Sequence, residues 1–312
     1  MANSNIKEFM STTVAPRLAP LVAAERIRLY VWASLVSQIL IVVTGGVVRL
    51  TGSGLGCPTW PRCTDGSYVT VPEQGIHGVI EFTNRMLTFV LLVVAIVTFL
   101  AVRRLAASER RGMFIPALAL ILGILAQAVL GGITVRTKLN AWTVGAHFML
   151  SAVLIAFAVV LVWRFYGHGD SVISSAAYGL TRLIGVVGLV AVVVGVIVTG
   201  AGPHAGDANT TRNGLDPVVW QHYHSWPGYA LIALESLQVI LLMRSAGGSA
   251  RPKLLQLNIG LFFATVAQAI IGVVQSRLGL PIWLVAVHML GASVLIALIA
   301  AQWLAGSASN RE

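Results

Sequence analysis

Apolar residues fall into eight long runs along the chain, near 29–49, 77–101, 113–135, 141–163, 179–201, 218–243, 255–276 and 281–304, with short polar segments between them. A bilayer core about 30 Å thick needs roughly 20 residues of helix at about 1.5 Å each. Every run reaches that length. The pattern predicts an all-α polytopic membrane protein with eight transmembrane helices. The first 28 residues are polar and mixed, without the apolar stretch and small-residue cleavage site of a signal peptide. They are expected to form a cytoplasmic tail with an interfacial segment.

Composition narrows the class. Hydrophobic residues make up 57% of the chain and charged residues 10%. Soluble domains carry about 25% charged residues, so a water-soluble globule and a disordered chain are both excluded. The net charge is +10, from 21 basic and 11 acidic residues. Such an excess in a soluble protein would suggest nucleic acid. Here the charges sit between apolar runs, which points to a lipid bilayer, to no nucleic-acid partner, and to the positive-inside rule. With the N-terminus inside, the outer segments hold Arg49, Arg62, Arg85, Arg136, Lys138, Arg212 and Arg277, leaving fourteen of the 21 basic residues inside (21 − 7). This predicts a cell-membrane protein with both termini cytoplasmic, and with residues 50–76 and 202–217 as the long outer loops.

The chain also repeats itself. At a constant offset of 141, residues 127–156 match 268–297 at Gln127/Gln268, Ala128/Ala269, Gly131/Gly272, Arg136/Arg277, Leu139/Leu280, Trp142/Trp283, Val144/Val285, His147/His288 and the run Val153–Ala156 against Val294–Ala297. Thr44-Gly45 corresponds to Thr199-Gly200, with Arg49 opposite His204. Four helices per repeat is an even number, so both halves run the same way through the membrane, as a parallel repeat. The expected organisation is a cytoplasmic tail at 1–28, a four-helix bundle at 29–164, a cytoplasmic linker at 165–178, a second bundle at 179–304 and a tail at 305–312.

Ionisable groups at membrane depth are costly and default to functional hypotheses. His147 and His288 are repeat-related and begin the fourth and eighth helices. Imidazole suits iron, copper and zinc, but no thiolate or carboxylate cluster accompanies them. Small residues nearby (Gly145, Ser151, Gly291, Ala292) leave broad apolar walls, so haem held by axial His is the best fit. The sixth helix begins WQHYHSW. His222 and His224 lie about 200° apart around a helix and cannot both face one haem; His224 is preferred and His222 is the alternative. Matching Glu81 to Gln221 puts Asn84 opposite His224, so the halves are unequal: the second has two candidate ligands, while the first has His147 opposite an amide.

Glu81 is the only acid at membrane depth in the first bundle. His77, Glu81 and Arg85 share a helix face, with Asn84 beside them. The two readings are an ion pair between Glu81 and Arg85 with His77 capping the helix, and a proton-handling carboxylate beside a reactive centre. Glu235, eleven residues after His224, lies deeper near the same face and serves either a hydrogen bond or proton movement. Arg49, Arg136 and Arg277 at outer helix ends suit haem propionates or ordinary snorkelling. Cys57 and Cys63 form a C-x5-C pair, which is not a zinc spacing. On the outer face a loop disulfide is expected, either a structural staple or a redox-active pair.

The stretch GGVVRLTGSGLGCPTWPRC, followed by IEFTNR and two W-x4-H helices, resembles the bacterial haem A synthase family over about 29–304. The resemblance implies a membrane-bound oxidoreductase that oxidises the C8 methyl group of haem O to a formyl group for a terminal oxidase, through an alcohol and a hydrated aldehyde. It implies haem b in the second half, held at His224 and His288 with Arg277 nearby. It implies substrate haem O in the first half, near His147 and Glu81 as catalytic residues; Asn84, Arg85, Arg49, Arg136 and His77 are the candidate substrate contacts read from their positions. The cysteine pair resembles the outer-loop disulfide of many members. Many members have His where this chain has Asn84, and the Asn variant looks like actinobacterial members. His147 then ligates the substrate iron alone, or His77 takes the second position. The chain has no soluble redox domain or nucleotide-binding motif, so an external electron-transfer partner is expected. Haem O synthase is a candidate partner, and self-association stays open. A dihaem electron-transfer cytochrome and a haem chaperone or transporter are the alternative functions.

Overall fold

A computed structural model describes residues 24–167, 172–245, 253–307 and 310–311. The expected N-terminal tail lies mostly outside the described residues, as do parts of the linker and of the C-terminal tail. Among the described residues, eight helices are long and apolar enough to cross a membrane. In chain order they are α1 (Ile27–Leu50), α2 (Gly75–Arg104), α3 (Phe114–Arg136), α4 (Ala141–Tyr166), α5 (Ser175–Ala201), α6 (Pro217–Ser245), α7 (Lys253–Arg277) and α8 (Ile282–Ser307). The expected runs stop short of these ends because polar and basic residues continue the helices past the apolar stretch, as Arg103 and Arg104 do in α2. A two-residue parallel pairing joins Val172–Ile173 (β1) to Asn310–Arg311 (β2).

Side chains cap the opening amides of α4 and α6. The Asn140 side chain accepts from the Trp142 amide at 3.0 Å to start α4, and Asp216 Oδ1 accepts from the Val218 amide at 2.8 Å to start α6. Pro227 lies inside α6, one turn beyond Tyr223, and has no N–H to give the Tyr223 carbonyl.

The helices pack in two rings. In the first, α1 meets α2 and α4, and α3 meets α2 and α4; α5 to α8 repeat the arrangement. The rings join through α8 against α1 and α4, and through α4 against α5. Ile296, Ala297, Ala300, Ala301 and Leu304 of α8 pack onto the first core, which is built around Leu120, Ile155 and Leu161.

The repeat extends to the backbone. Helices α4 and α8 are both 26 residues long, and their bounds differ by the same 141 residues that align the sequence (282 − 141; 307 − 166). In the turn before α4, Lys138 and Leu139 take φ of 52° and 58°; in the turn before α8, Gly279 and Leu280 take 73° and 61°. The Leu139 amide donates to Thr134 O and the Leu280 amide to Gln275 O, each at 2.8 Å. A leucine in the left-handed region costs roughly 1–2 kcal/mol. Both halves retain it, and the turn sets the phase of the helix that carries His147 or His288.

Candidate functional site

In the second bundle, α6 and α8 bring His224 and His288 together. Their ring centroids are 6.2 Å apart and the ring planes cross at 84°. His222 lies elsewhere: its ring is exposed and its Nδ1 pairs with Val218 O at 2.7 Å, within its own helix. The two histidines point apart because two residues advance about 200° around a helix.

Glycines make room for the rings. A Cβ at Gly195 of α5 would meet His224 Cε1 at 2.8 Å. Gly272 of α7 faces His288 Cε1 at 3.5 Å, and its repeat partner Gly131 of α3 faces His147 Cε1 at 3.4 Å. Gly131 and Gly272 stand among the repeat identities, where they carry no visible role; proximity to histidine is what the fold adds. Gly195 has no such sequence signal. Of the small residues expected to wall the site, Gly145 faces Val196 across the α4–α5 contact instead, and Gly291 lies against Gln268.

The first bundle has the same plan with one histidine. His147 sits on α4 and Asn84 on α2, at the positions of His288 and His224. The Nδ1 atoms of His147, His224 and His288 and the Oδ1 of Asn84 are buried and lack hydrogen-bond partners among the described residues. Buried polar atoms without partners are rare, and these four fall at repeat-related positions of the two bundles. Gln127 steadies the start of α4 by donating to His147 O at 3.0 Å and to Ser151 Oγ at 2.5 Å.

Glu81 is buried, and Arg85 holds it in an ion pair of 2.5 Å. The other carboxylate oxygen accepts from the Cys57 amide. Arg85 also donates to the carbonyls of Cys57 (2.8 Å), Thr59 (3.1 Å) and Arg62 (3.2 Å). The pair therefore fastens the 57–63 loop onto α2. Cys57 and Cys63 are joined in a disulfide and both are fully buried. Trp60 from this loop lies on Gly132 of α3, and Arg136 reaches it with a guanidinium 6.0 Å from the indole ring and a 3.2 Å bond to Trp60 O. The loop covers the end of the first bundle nearest Asn84. His77 is exposed and pairs with Ser53 Oγ at 2.9 Å through Nδ1, so it holds the loop rather than capping α2.

Arg49 reaches into the other half. It donates to His204 O at 2.5 Å and to Thr199 O at 2.7 Å, and His204 Nε2 meets Leu280 O at 2.9 Å. A chain of contacts thus runs from α1 through the 202–216 loop to the turn before α8. The sequence places Arg49 opposite His204 in the repeat but does not show that the two touch. Arg277 is exposed at the end of α7. Among the described residues no group of three or more His, Cys, Asp or Glu side chains is placed to hold a bare metal ion.

Residues 28–300 match a protein family described as cytochrome oxidase assembly protein. The chain is 34% identical over 128 residues to heme A synthase of Bacillus pumilus, covering 40% of this chain and 39% of that protein. It is 27% identical over 143 residues to heme A synthase of Geobacillus thermodenitrificans, covering 45% and 44%. It is 26% identical over 287 residues to protoheme IX farnesyltransferase of Thermus thermophilus, covering 86% of this chain and 46% of that protein. In each case the chain spans less than half the length of the relative.

Proposed function

The chain belongs to the cytochrome oxidase assembly protein family, and we propose that it is a membrane oxidoreductase that converts the C8 methyl group of haem O to the formyl group of haem A. One observation carries this reading: the two bundles share a plan but not a ligand set. The second brings two imidazoles together, and the first has His147 with the amide Asn84 at the repeat position of His224. Two imidazoles suit a resident electron-transfer haem. A substrate that must enter, react and leave is better served by one.

The second site fits haem b. Imidazole is a usual protein ligand of haem iron, and two histidine rings whose buried Nδ1 atoms lack partners among the described residues stand together here. His224 and His288 would hold the group, and it would supply one-electron transfer. Gly195 keeps the His224 ring edge clear, and Gly272 stands at ordinary contact distance from His288.

In the first bundle, His147 would bind the haem O iron from one side and Asn84 would leave the other side open to small molecules. Glu81 would take or stabilise positive charge as the methyl carbon is oxidised, while Arg85 offsets its charge and keeps it aimed beneath the disulfide loop. Arg136 and Arg277 would meet propionates at the helix ends. The basic residues favour both termini in the cytoplasm and both haem sites towards the outer face. Similarity to a protein named for farnesyl transfer to protohaem supports haem O synthase as the supplier of substrate. Electrons would pass to or from an external carrier.

Replacing Glu81 by Ala tests the catalytic assignment. The expected outcome is a fall of about 100-fold or more in haem A formation, with the low-spin haem of the second bundle still bound. A normal haem A yield from Glu81→Ala overturns the role.

A further inference from the structure

Below the paired histidines, the second bundle holds a set of buried polar side chains that the site above does not use. Glu235 and Gln238 on α6, Asn258 on α7 and Gln302 on α8 are each 0% exposed, and Thr265 on α7 is 3% exposed. Glu235 is eleven residues past His224 (235 − 224), about 16 Å along the helix at about 1.5 Å per residue. Helix register puts the amides at one depth. Asn258 lies nineteen residues before the end of α7 (277 − 258) and Gln302 twenty after the start of α8 (302 − 282), on either side of one turn.

The first bundle is an internal control. At the repeat offsets, Glu235 corresponds to Ala95, Asn258 to Ala117, Thr265 to Ile124 and Gln302 to Leu161. These four are also buried, at 2%, 0%, 2% and 0%. The same fold therefore packs these four positions with apolar side chains, while the position of Gln238 holds Thr98, which is polar and buried in the first bundle as well. In the second bundle the four are polar, which costs free energy unless each group finds a partner.

Several of these groups find none among the described residues. Glu235 Oε1 accepts from Thr265 at 3.0 Å and Gln238 Nε2 donates to Thr181 at 2.7 Å. Glu235 Oε2, Gln238 Oε1, and both polar atoms of the Asn258 and Gln302 amides have no partner among the described residues. The orphans include acceptors on all four side chains and donors on two. A metal cation would satisfy only the oxygens. Water both donates and accepts, and bridging buried polar groups is its usual internal role.

We propose that Glu235 is a proton-binding site at the head of a water-bridged polar path through Gln238, Asn258 and Gln302, and that proton uptake there balances charge at the His224/His288 site. The first half of the proposal stands on the buried cluster alone; the second rests on the haem b reading. No described charged group pairs with Glu235. On the helices packed against α6, Arg182 of α5 stacks on Trp303 and Tyr178 and donates to Ser307, while Lys253 and Arg277 lie at the two ends of α7. On α6 itself, Arg244 is in the last turn and His222 is exposed.

Two readouts on the purified full-length holoprotein test it. Infrared spectra of wild type minus Glu235→Gln should show one protonated-carboxyl band on acidification, and the band should shift in deuterated water. Gln preserves the shape and still accepts from Thr265, so folding is retained. A quadruple variant carrying the first bundle's residues (E235A, N258A, T265I, Q302L) should fold and lack the band. Absence of a Glu235 band, or a band that deuterium does not move, overturns the proton site. For the linkage, the midpoint potential of the low-spin haem should fall by up to about 59 mV for each tenfold drop in proton activity, with the slope lost in Glu235→Gln. An equal slope in both proteins overturns the linkage while leaving the proton site standing. Loss of the low-spin spectrum from wild type would instead count against the haem b assignment, and the infrared result would still decide the proton site.

Discussion

Replacing Gly195 by Ala should loosen the ligation at His224 without touching either histidine. The added Cβ would lie 2.8 Å from His224 Cε1, 3.3 Å from Nδ1 and 3.5 Å from Nε2. Ordinary contact begins near 3.4 Å, so the ring or α5 must retreat by about 0.6 Å (3.4 − 2.8). Metal sites tolerate only about 0.2 Å in their bond lengths, so the shift comes out of ligand geometry or helix packing. Overpacking of this kind costs roughly 1–3 kcal/mol, which corresponds to about 5- to 150-fold in an equilibrium constant. The matched control is Gly272→Ala, whose Cβ would stand at 3.5 Å from His288 Cε1; its haem affinity should stay within about twofold of wild type. The assay is titration of apoprotein with haem in detergent, read from the low-spin absorbance, with helix content checked by circular dichroism. Unchanged affinity in Gly195→Ala, or a larger loss in Gly272→Ala, would refute the reasoning.

Two other substitutions address the remaining geometry. His224→Ala should abolish the low-spin spectrum and His222→Ala should preserve it, because only His224 faces His288; the reverse result would exchange their roles. Arg49→Ala removes two charge-assisted bonds between the bundles and should cost about 2 kcal/mol, measured as a lower unfolding midpoint, with Arg49→Lys recovering part of the loss; an unchanged midpoint would show that the bundles do not depend on this link.

Much of the fold is legible in the sequence because the bilayer imposes a length on each helix, and eight runs of that length admit few architectures. The offset of 141 anticipates the structural repeat, down to the left-handed leucines before α4 and α8. Sequence spacing separates His222 from His224 in angle but does not say which one faces inward; that depends on how α6 turns against α5 and α7. The partners of Arg49 are carbonyls more than 140 residues away, and backbone acceptors leave no mark in a sequence. The same holds for Glu81: its spacing to Arg85 allows the ion pair as one of two readings, while the grip of both residues on the 57–63 loop emerges only when the loop folds back over α2. The polar set below the paired histidines becomes visible once the two halves are superposed, since each residue alone reads as an ordinary polar position in a helix.

Extraction of the bound and released haems after co-expression with haem O synthase tests the central claim most directly. Mass spectrometry should find haem A, or its hydroxymethyl precursor, in cells carrying the wild-type chain, and haem O unchanged in cells without it. Unaltered haem O beside a fully loaded wild-type protein would contradict the account and leave an electron-transfer cytochrome or a haem carrier in its place.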